Sequence, residues 1–323
     1  MSILPGGKEP QLEAAATAAA GGADAAVAAA GFAAMRRRRL VVPKAWRNPI
    51  GIAGAAIVGL NVLIALFGRF VWRIDPNLQE SDRLLAPSWA HPLGTDEIGR
   101  DTLARILHGS QVSLQVGAIS VGIALVAGTL IGILAGYYKG LLDSILMRVV
   151  DMMFAFPALV LAIMIAGLLG PTRTNAMIAI GIVITPAFAR VVRGSVLEVM
   201  GFPFIESARG LGASSARIMA RHLLPNIGAP LIVMVSVYLS VAILSEAALS
   251  FLGLGTQPPE ASWGGMLSAG RNYLDLSPWL SIFPGAAIAI VVLGFNFLGD
   301  GLRDILDPRI GPRLGVEVLG KEK

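Results

Sequence analysis

Six stretches of this 323-residue chain are apolar over roughly the twenty residues that a helix needs to cross a bilayer. They are Ile50–Val71, Val112–Tyr138, Met152–Gly170, Asn175–Val192, Ile227–Leu252 and Trp279–Leu298. A backbone in hydrocarbon must satisfy its N–H and C=O groups within the segment, so runs of this length commit the chain to helices. The composition agrees: 15% of residues are charged, where soluble domains carry about 25%. The expected fold class is therefore an all-α polytopic membrane protein with six transmembrane helices. The second run is longer than a crossing needs and is expected to tilt or project. The fourth is short and contains Pro186, which leaves its inner boundary open.

Orientation follows from where lysine and arginine fall, since cytoplasmic segments carry the excess. With the N-terminus inside, the inner segments hold nineteen of these residues and the outer ones six, with Arg69 at a boundary. Both termini are thus expected in the cytoplasm, and the loop after the fourth run with them. The net charge of +5 sits beside apolar runs, so it points to a membrane surface and not to nucleic acid. Residues 1–45 read as a disordered, Ala/Gly-rich and then basic cytoplasmic tail, with Arg36–Arg39 anchoring at the lipid surface. A secretory signal would place those charges ahead of the apolar part. Residues 46–110 hold the first span and an extracytoplasmic segment, 111–305 the core, and 306–323 a cytoplasmic tail. Cysteine is absent, which excludes disulfides and thiolate metal sites.

The longest polar interruption in the second half, Phe202–Pro230, has its own design. Pro203 can open a helix, because the first turn leaves its N–H unbonded anyway. Glu206 follows where the helix dipole favours a carboxylate. Gly212 suits a left-handed stop, and Ser214 can cap a second short helix that Pro225 and Pro230 limit. The expected product is a compact helix–turn–helix carrying Arg209, Arg217, Arg221 and His222.

Glu206, Ala208, Gly212, Leu224 and Pro225 stand at the spacing E-A-A, three residues, G, nine residues, I-x-L-P. In this the chain resembles the permeases of binding-protein-dependent ABC importers. Ser207 replaces the middle small residue, and His222 stands where many members have isoleucine. His222 followed by Leu224-Pro225-Asn226 is similar to the dipeptide/oligopeptide (peptide/nickel) branch. His91–Asp101 (HPLGTDEIGRD), the LSFLGLG, QPP and SWG words of 249–264, and GDGLRDILDPR at 299–309 resemble its second-permease members. The resemblance spans roughly residues 45–313. It implies a type I ABC importer permease fold in which 202–225 couples to a cytoplasmic ATPase. It also implies a homologous second permease, two ATPases that bind ATP and Mg, and an extracytoplasmic solute-binding protein. No cofactor is expected in this chain.

Other residues stand out on physical grounds. Gly128, Gly132, Gly136 and Gly140 recur every fourth residue and bare one helix face for close packing; lining a substrate path is the other reading. Pro157 is expected to kink the third span near its inner end, as a gate or as a packing irregularity. Glu246 is an acid inside an apolar span, and it either lines the translocation path, meets another subunit or bonds to a neighbouring helix. In the first outer loop, Thr95 or Asp96 is placed to cap a short helix over 102–107. His91, Asp96, Glu97, Asp101 and His108 there lack the spacing of a zinc motif, so a structural cap is expected and no metal. The outer loop 253–278, with Pro258–Pro259, Trp263 and Tyr273, is expected to contact a docked soluble protein or to re-enter the interface.

The chain lacks a P-loop, which argues against ATP binding through one, and it lacks an H-E-x-x-H helix and a G-x-S-x-G elbow, which argues against an intramembrane hydrolase. The function expected is the transmembrane permease of an ATP-driven importer of dipeptides or oligopeptides. The alternatives are an ion-coupled secondary carrier using Glu246, or the same importer family carrying nickel or another small solute.

Overall fold

A computed structural model describes residues 48–79 and 81–306, and it is helical throughout its membrane part. The expectations for the N-terminal tail and for 307–323 lie outside the described residues. Helix α1 (Pro49–Val71) starts where Asn48 accepts the Ile50 N–H at 3.0 Å and Pro49 takes the first helical position. It buries only Gly54 and Gly68, so a mainly apolar helix shows most of its side chains outward, as a lipid-facing span does.

Helix α2 (Thr102–Tyr138) is 37 residues long, or about 55 Å at helical rise, against about 30 Å of hydrocarbon. No separate 102–107 helix exists. Neither Thr95 nor Asp96 caps α2; Asp101 does, accepting the Ala104 N–H at 2.7 Å. The reason is register, since only Asp101 sits directly before the first helical residue. The N-terminal turns of α2 run into the cap formed by the described residues of 72–101, where the Trp72 indole donates to Asp101 at 3.0 Å.

Lys139 (φ 55°) and Gly140 (φ 60°) then turn the chain sharply into α3 (Gly140–Phe154). The third span departs from expectation. It is not one helix over Met152–Gly170, because α3 and α4 (Ala158–Leu169) meet at 93°. Pro157 has no N–H for a helical bond and an extended ψ of 128°, so it caps α4 where only a kink was expected. Alone, α4 reaches about 18 Å, too short to cross hydrocarbon. The described residues thus hold five continuous helices long and apolar enough to cross and one broken pair.

Helix α5 (Arg173–Val199) runs seven residues past its expected end, through Pro186. Its partner is α2, and the two run parallel. Ser120 donates to the Met177 carbonyl at 3.0 Å, and further along a Cβ on Gly136 would fall 2.7 Å from Val196. Between these levels Gly128 faces Phe188, and Gly132 faces Ala189 and Val192. Gly140 is not in this seam. It belongs to α3 and faces nothing within 4 Å. Three bare positions, not four, make the contact.

Loop 202–225 is made of α6 (Pro203–Gly210), α7 (Ser215–Ile218), a π turn (Met219–Leu223) and the start of α8 (Leu224–Asn226). Helix α9 (Gly228–Phe251) follows, then α10 (Trp263–Gly270) and α11 (Trp279–Leu306), which exceeds its expected end by eight residues. Helix α11 packs antiparallel to α1, with Gly301 opposite Gly51 and Gly294 opposite Ile57. Asn48 donates to Asp304 at 2.7 Å, which puts both described ends of the chain beside each other. Because α2 and α5 run parallel, loop 202–225 lies at that same end.

Candidate functional site

The loop is built as its residues dictate. Phe202 is extended, Pro203 occupies the first turn of α6, and Glu206 lies in that turn, exposed. Ile205 and Ala208, one turn apart, are the two residues of α6 that are buried, so this helix seats on the bundle by a narrow stripe. Gly212 adopts φ +78°, and the Ala213 N–H reaches back to the Ala208 carbonyl at 3.0 Å. Ser214 accepts the Arg217 N–H and opens α7. Ser207 bonds the Pro203 carbonyl at 3.1 Å, and its small side chain stays outside the bundle.

Sequence reasoning missed the π turn. Pro225 has no N–H to offer the Arg221 carbonyl, and just before it the Leu224 N–H bonds to Met219, one residue beyond the α-helical partner. Asn226 closes on the His222 carbonyl at 2.6 Å. His222 packs near the Phe204 ring, with centroids 6.3 Å apart, so the entry and exit of the loop touch. Leu224 and Pro225 are exposed, while Ile218, Leu223 and Ile227 anchor the second half. Arg209 lies over the ring of Tyr137, 5.6 Å from its centroid, at the end of α2. Glu206, Arg217 and Arg221 stand outward, and Leu211 at the tip is 89% exposed. The element is a polar knob on an apolar bundle, rigid at its base and open at its tip.

Glu246 is 1% exposed. It accepts from Ser250 on its own helix at 2.7 Å and from Ser113 on α2 at 3.4 Å. Ser250 accepts the Thr256 N–H at 3.0 Å, so the carboxyl joins α2, α9 and the start of loop 253–278. That loop turns inward. Trp263 is buried and donates to the Ile106 carbonyl at 3.0 Å, which places this aromatic against α2. Pro157 is exposed at the α3–α4 elbow, directly after Phe156, which is exposed as well.

The cap residues pair among themselves. His91 bonds Asp101 at 2.7 Å and Ser81 at 3.0 Å, an order that resembles a hydrolase triad. Asp101, however, also caps α2 and receives the Trp72 indole at 3.0 Å, so it is committed to holding the cap. Asp96 takes Arg100 at 2.6 Å, and Arg100 also reaches Glu97. Among the described residues no three acids or histidines gather as a metal site.

Geometry of this kind, a broken span beside continuous apolar helices with a knob at one end, is that of a multi-pass membrane protein. Residues 128–312 match the family described as binding-protein-dependent transport system inner membrane component. The chain is 45% identical over 265 residues to a dipeptide transport system permease protein, DppC, of Alkalihalophilus pseudofirmus, covering 82% of this chain and 87% of that one. It is 44% identical to the probable D,D-dipeptide permease DdpC of Escherichia coli, covering 82% and 89%. To the glutathione permease GsiD of Pectobacterium atrosepticum it is 43% identical, covering 82% and 88%. In fold it is similar to an inward-facing MetNI methionine ABC transporter chain, with TM-score 0.52 and 19% identity over 62% of this chain and 96% of that one. The chain belongs to the binding-protein-dependent transport inner membrane family, and it is a multi-pass protein of the bacterial inner membrane.

Proposed function

We propose that this chain is one permease subunit of an ATP-driven peptide importer, and that loop 202–225 is its contact with an ATPase. The observation that carries the reading is the knob itself. Its buried stripe, left-handed Gly212 and touching ends make a stiff lever that continues α5 and leaves Glu206, Leu211 and Arg217 free for a partner. The nineteen-to-six distribution of basic residues supports a cytoplasmic position for this end. The names of the relatives, which specify dipeptides and glutathione, support a peptide substrate over a nickel complex. A homologous second permease, two ATPases and a solute-binding protein complete the proposed assembly, with ATP and Mg bound by the ATPases. Gentle crosslinking of native membranes, purification of the tagged chain and mass spectrometry test this. Recovery of a second permease, P-loop chains and a soluble binding protein is expected; recovery of this chain alone contradicts the reading.

The ion-coupled carrier has less support, because the Ser250 and Ser113 hydroxyls both donate to Glu246 and give its carboxyl a holding role. Glu246→Gln keeps an acceptor of the same shape and is expected to retain uptake within about threefold, a loss under 1 kcal/mol. Loss of uptake at normal membrane levels, with an altered dependence on the ion gradient, returns the carrier.

A further inference from the structure

At the loop end, two ion pairs connect elements far apart in sequence. Arg193 on α5 grips Asp143 on α3 in a fork, with Nε to Oδ1 at 2.6 Å and Nη2 to Oδ2 at 2.7 Å. Arg190 reaches Asp151 at 2.7 Å, and its guanidinium lies 4.2 Å over the Phe154 ring. The pairs are not equal. Asp143 and Arg193 are 16% and 33% exposed, whereas Asp151 and Arg190 are 61% and 54% exposed. Exposed single-bond pairs contribute little, and a forked, partly buried pair fixes geometry as well as distance.

What each end of the fork is attached to gives it meaning. Val150 is the one residue of α3 that is buried, so apolar packing alone holds this helix weakly. Leu141, Ile145, Val149 and Met152 all point outward, and the Lys139–Gly140 turn behind them and the Pro157 break ahead leave α3 free to pivot. Arg193 sits on the opposite kind of element. Its own backbone carbonyl lies against Gly136 in the α2–α5 seam, and α5 passes into the knob through only Met200, Gly201 and Phe202. The fork therefore ties a loosely packed elbow to a helix that is close-packed against α2 and joined to the knob by three residues.

We infer that Asp143 and Arg193 are positioning residues that make the α3–α4 elbow follow the coupling knob during transport. The inference rests on the importer reading above. A displacement of the knob travels along α5 and reaches α3 through the guanidinium–carboxylate fork, and the elbow carries Phe154, Phe156 and Pro157 with it. Asp151–Arg190 trims the same helix farther along and is dispensable.

The test uses the complete importer, with its partner subunits, in liposomes, reading dipeptide uptake and ATP hydrolysis together. Asp143→Arg and Arg193→Asp are each expected to lower peptide moved per ATP about tenfold, within the range of ordinary coupling energies. The exchange Asp143→Arg with Arg193→Asp is expected to restore most of that ratio, and Asp151→Asn to leave it unchanged. Single variants that keep the wild-type ratio, or an exchange no better than the worse single, overturn the inference. If the charge variants do not assemble, the chain's lack of cysteine allows a second measurement. Asp143→Cys with Arg193→Cys, bridged by a short thiol crosslinker after assembly, is expected to move more peptide per ATP than the same protein unbridged. Inhibition on bridging, or no change, overturns it. A wild-type complex without ATP-dependent uptake would instead remove the importer reading itself, which separates the two failures.

Discussion

Gly212→Val is expected to reach the membrane at its normal level and to lose ATP-driven uptake almost completely. Gly212 holds φ +78°, yet a Cβ there would meet nothing within 4 Å, so the penalty is in the backbone and not in packing. The left-handed region costs an ordinary residue about 1–2 kcal/mol, and a β-branched one finds it least acceptable. Set against the few buried anchors of the knob, Ile205, Ala208, Ile218 and Leu223, about 2 kcal/mol shifts a local equilibrium up to about thirtyfold. The bundle is untouched, so insertion survives. Gly212→Asn should keep substantial uptake, because asparagine visits this region readily. Uptake assays beside membrane immunoblots read both, and normal uptake by the valine variant would contradict the role given to this turn.

The second large effect is in stability. At Gly132 a Cβ would lie 2.6 Å from the Ala189 carbonyl and 2.6 Å from Val192 Cβ, atoms of a facing backbone and a stiff branched side chain. Gly132→Ala must therefore push α2 from α5, and overpacking of this kind costs about 1–3 kcal/mol. Gly122, on the same helix, faces nothing within 4 Å, and alanine there should be neutral or stabilising by up to about 1 kcal/mol. Thermal unfolding in detergent is expected to fall for the first variant and hold or rise for the second. Equal behaviour would mean that the seam is not close-packed.

Much of this architecture can be read from residue order, because the forces that set it are local. Apolar run length placed α1, α9 and the apolar bodies of α2, α5 and α11, and Pro203, Gly212 and Ser214 marked the knob within a residue. The elbow escaped because hydropathy counts residues without their direction. Met152–Gly170 is apolar enough to cross, and only the geometry at Pro157 shows that the chain turns through 93°. Gly140 continued a four-residue period in the sequence but fell past the end of its helix, where Lys139 had already turned the chain. Composition left loop 253–278 open to contact with a docked soluble protein or to re-entry at the interface, and residue order gave no sign that Trp263 is buried with its indole on the Ile106 carbonyl. The fork left a faint trace. Arg190 and Arg193 are one turn apart, but nothing local says that their partners are Asp151 and Asp143. Likewise, the His91–Asp101 words of the cap were recognisable as a signature long before their bonds to Ser81, Trp72 and Ala104 gave them a reason.

The central claim, that the knob meets an ATPase, is tested most directly by a single reactive site at its tip. The chain contains no cysteine, so Leu211→Cys, at a position 89% exposed, supplies the one thiol in it. A thiol-linked photocrosslinker at that site, activated in native membranes, is expected to capture a chain bearing a P-loop. Trp89→Cys in the cap, fully exposed at the other end, should capture none. Capture of no ATPase from Leu211→Cys, or capture of the same ATPase from both sites, would contradict the account.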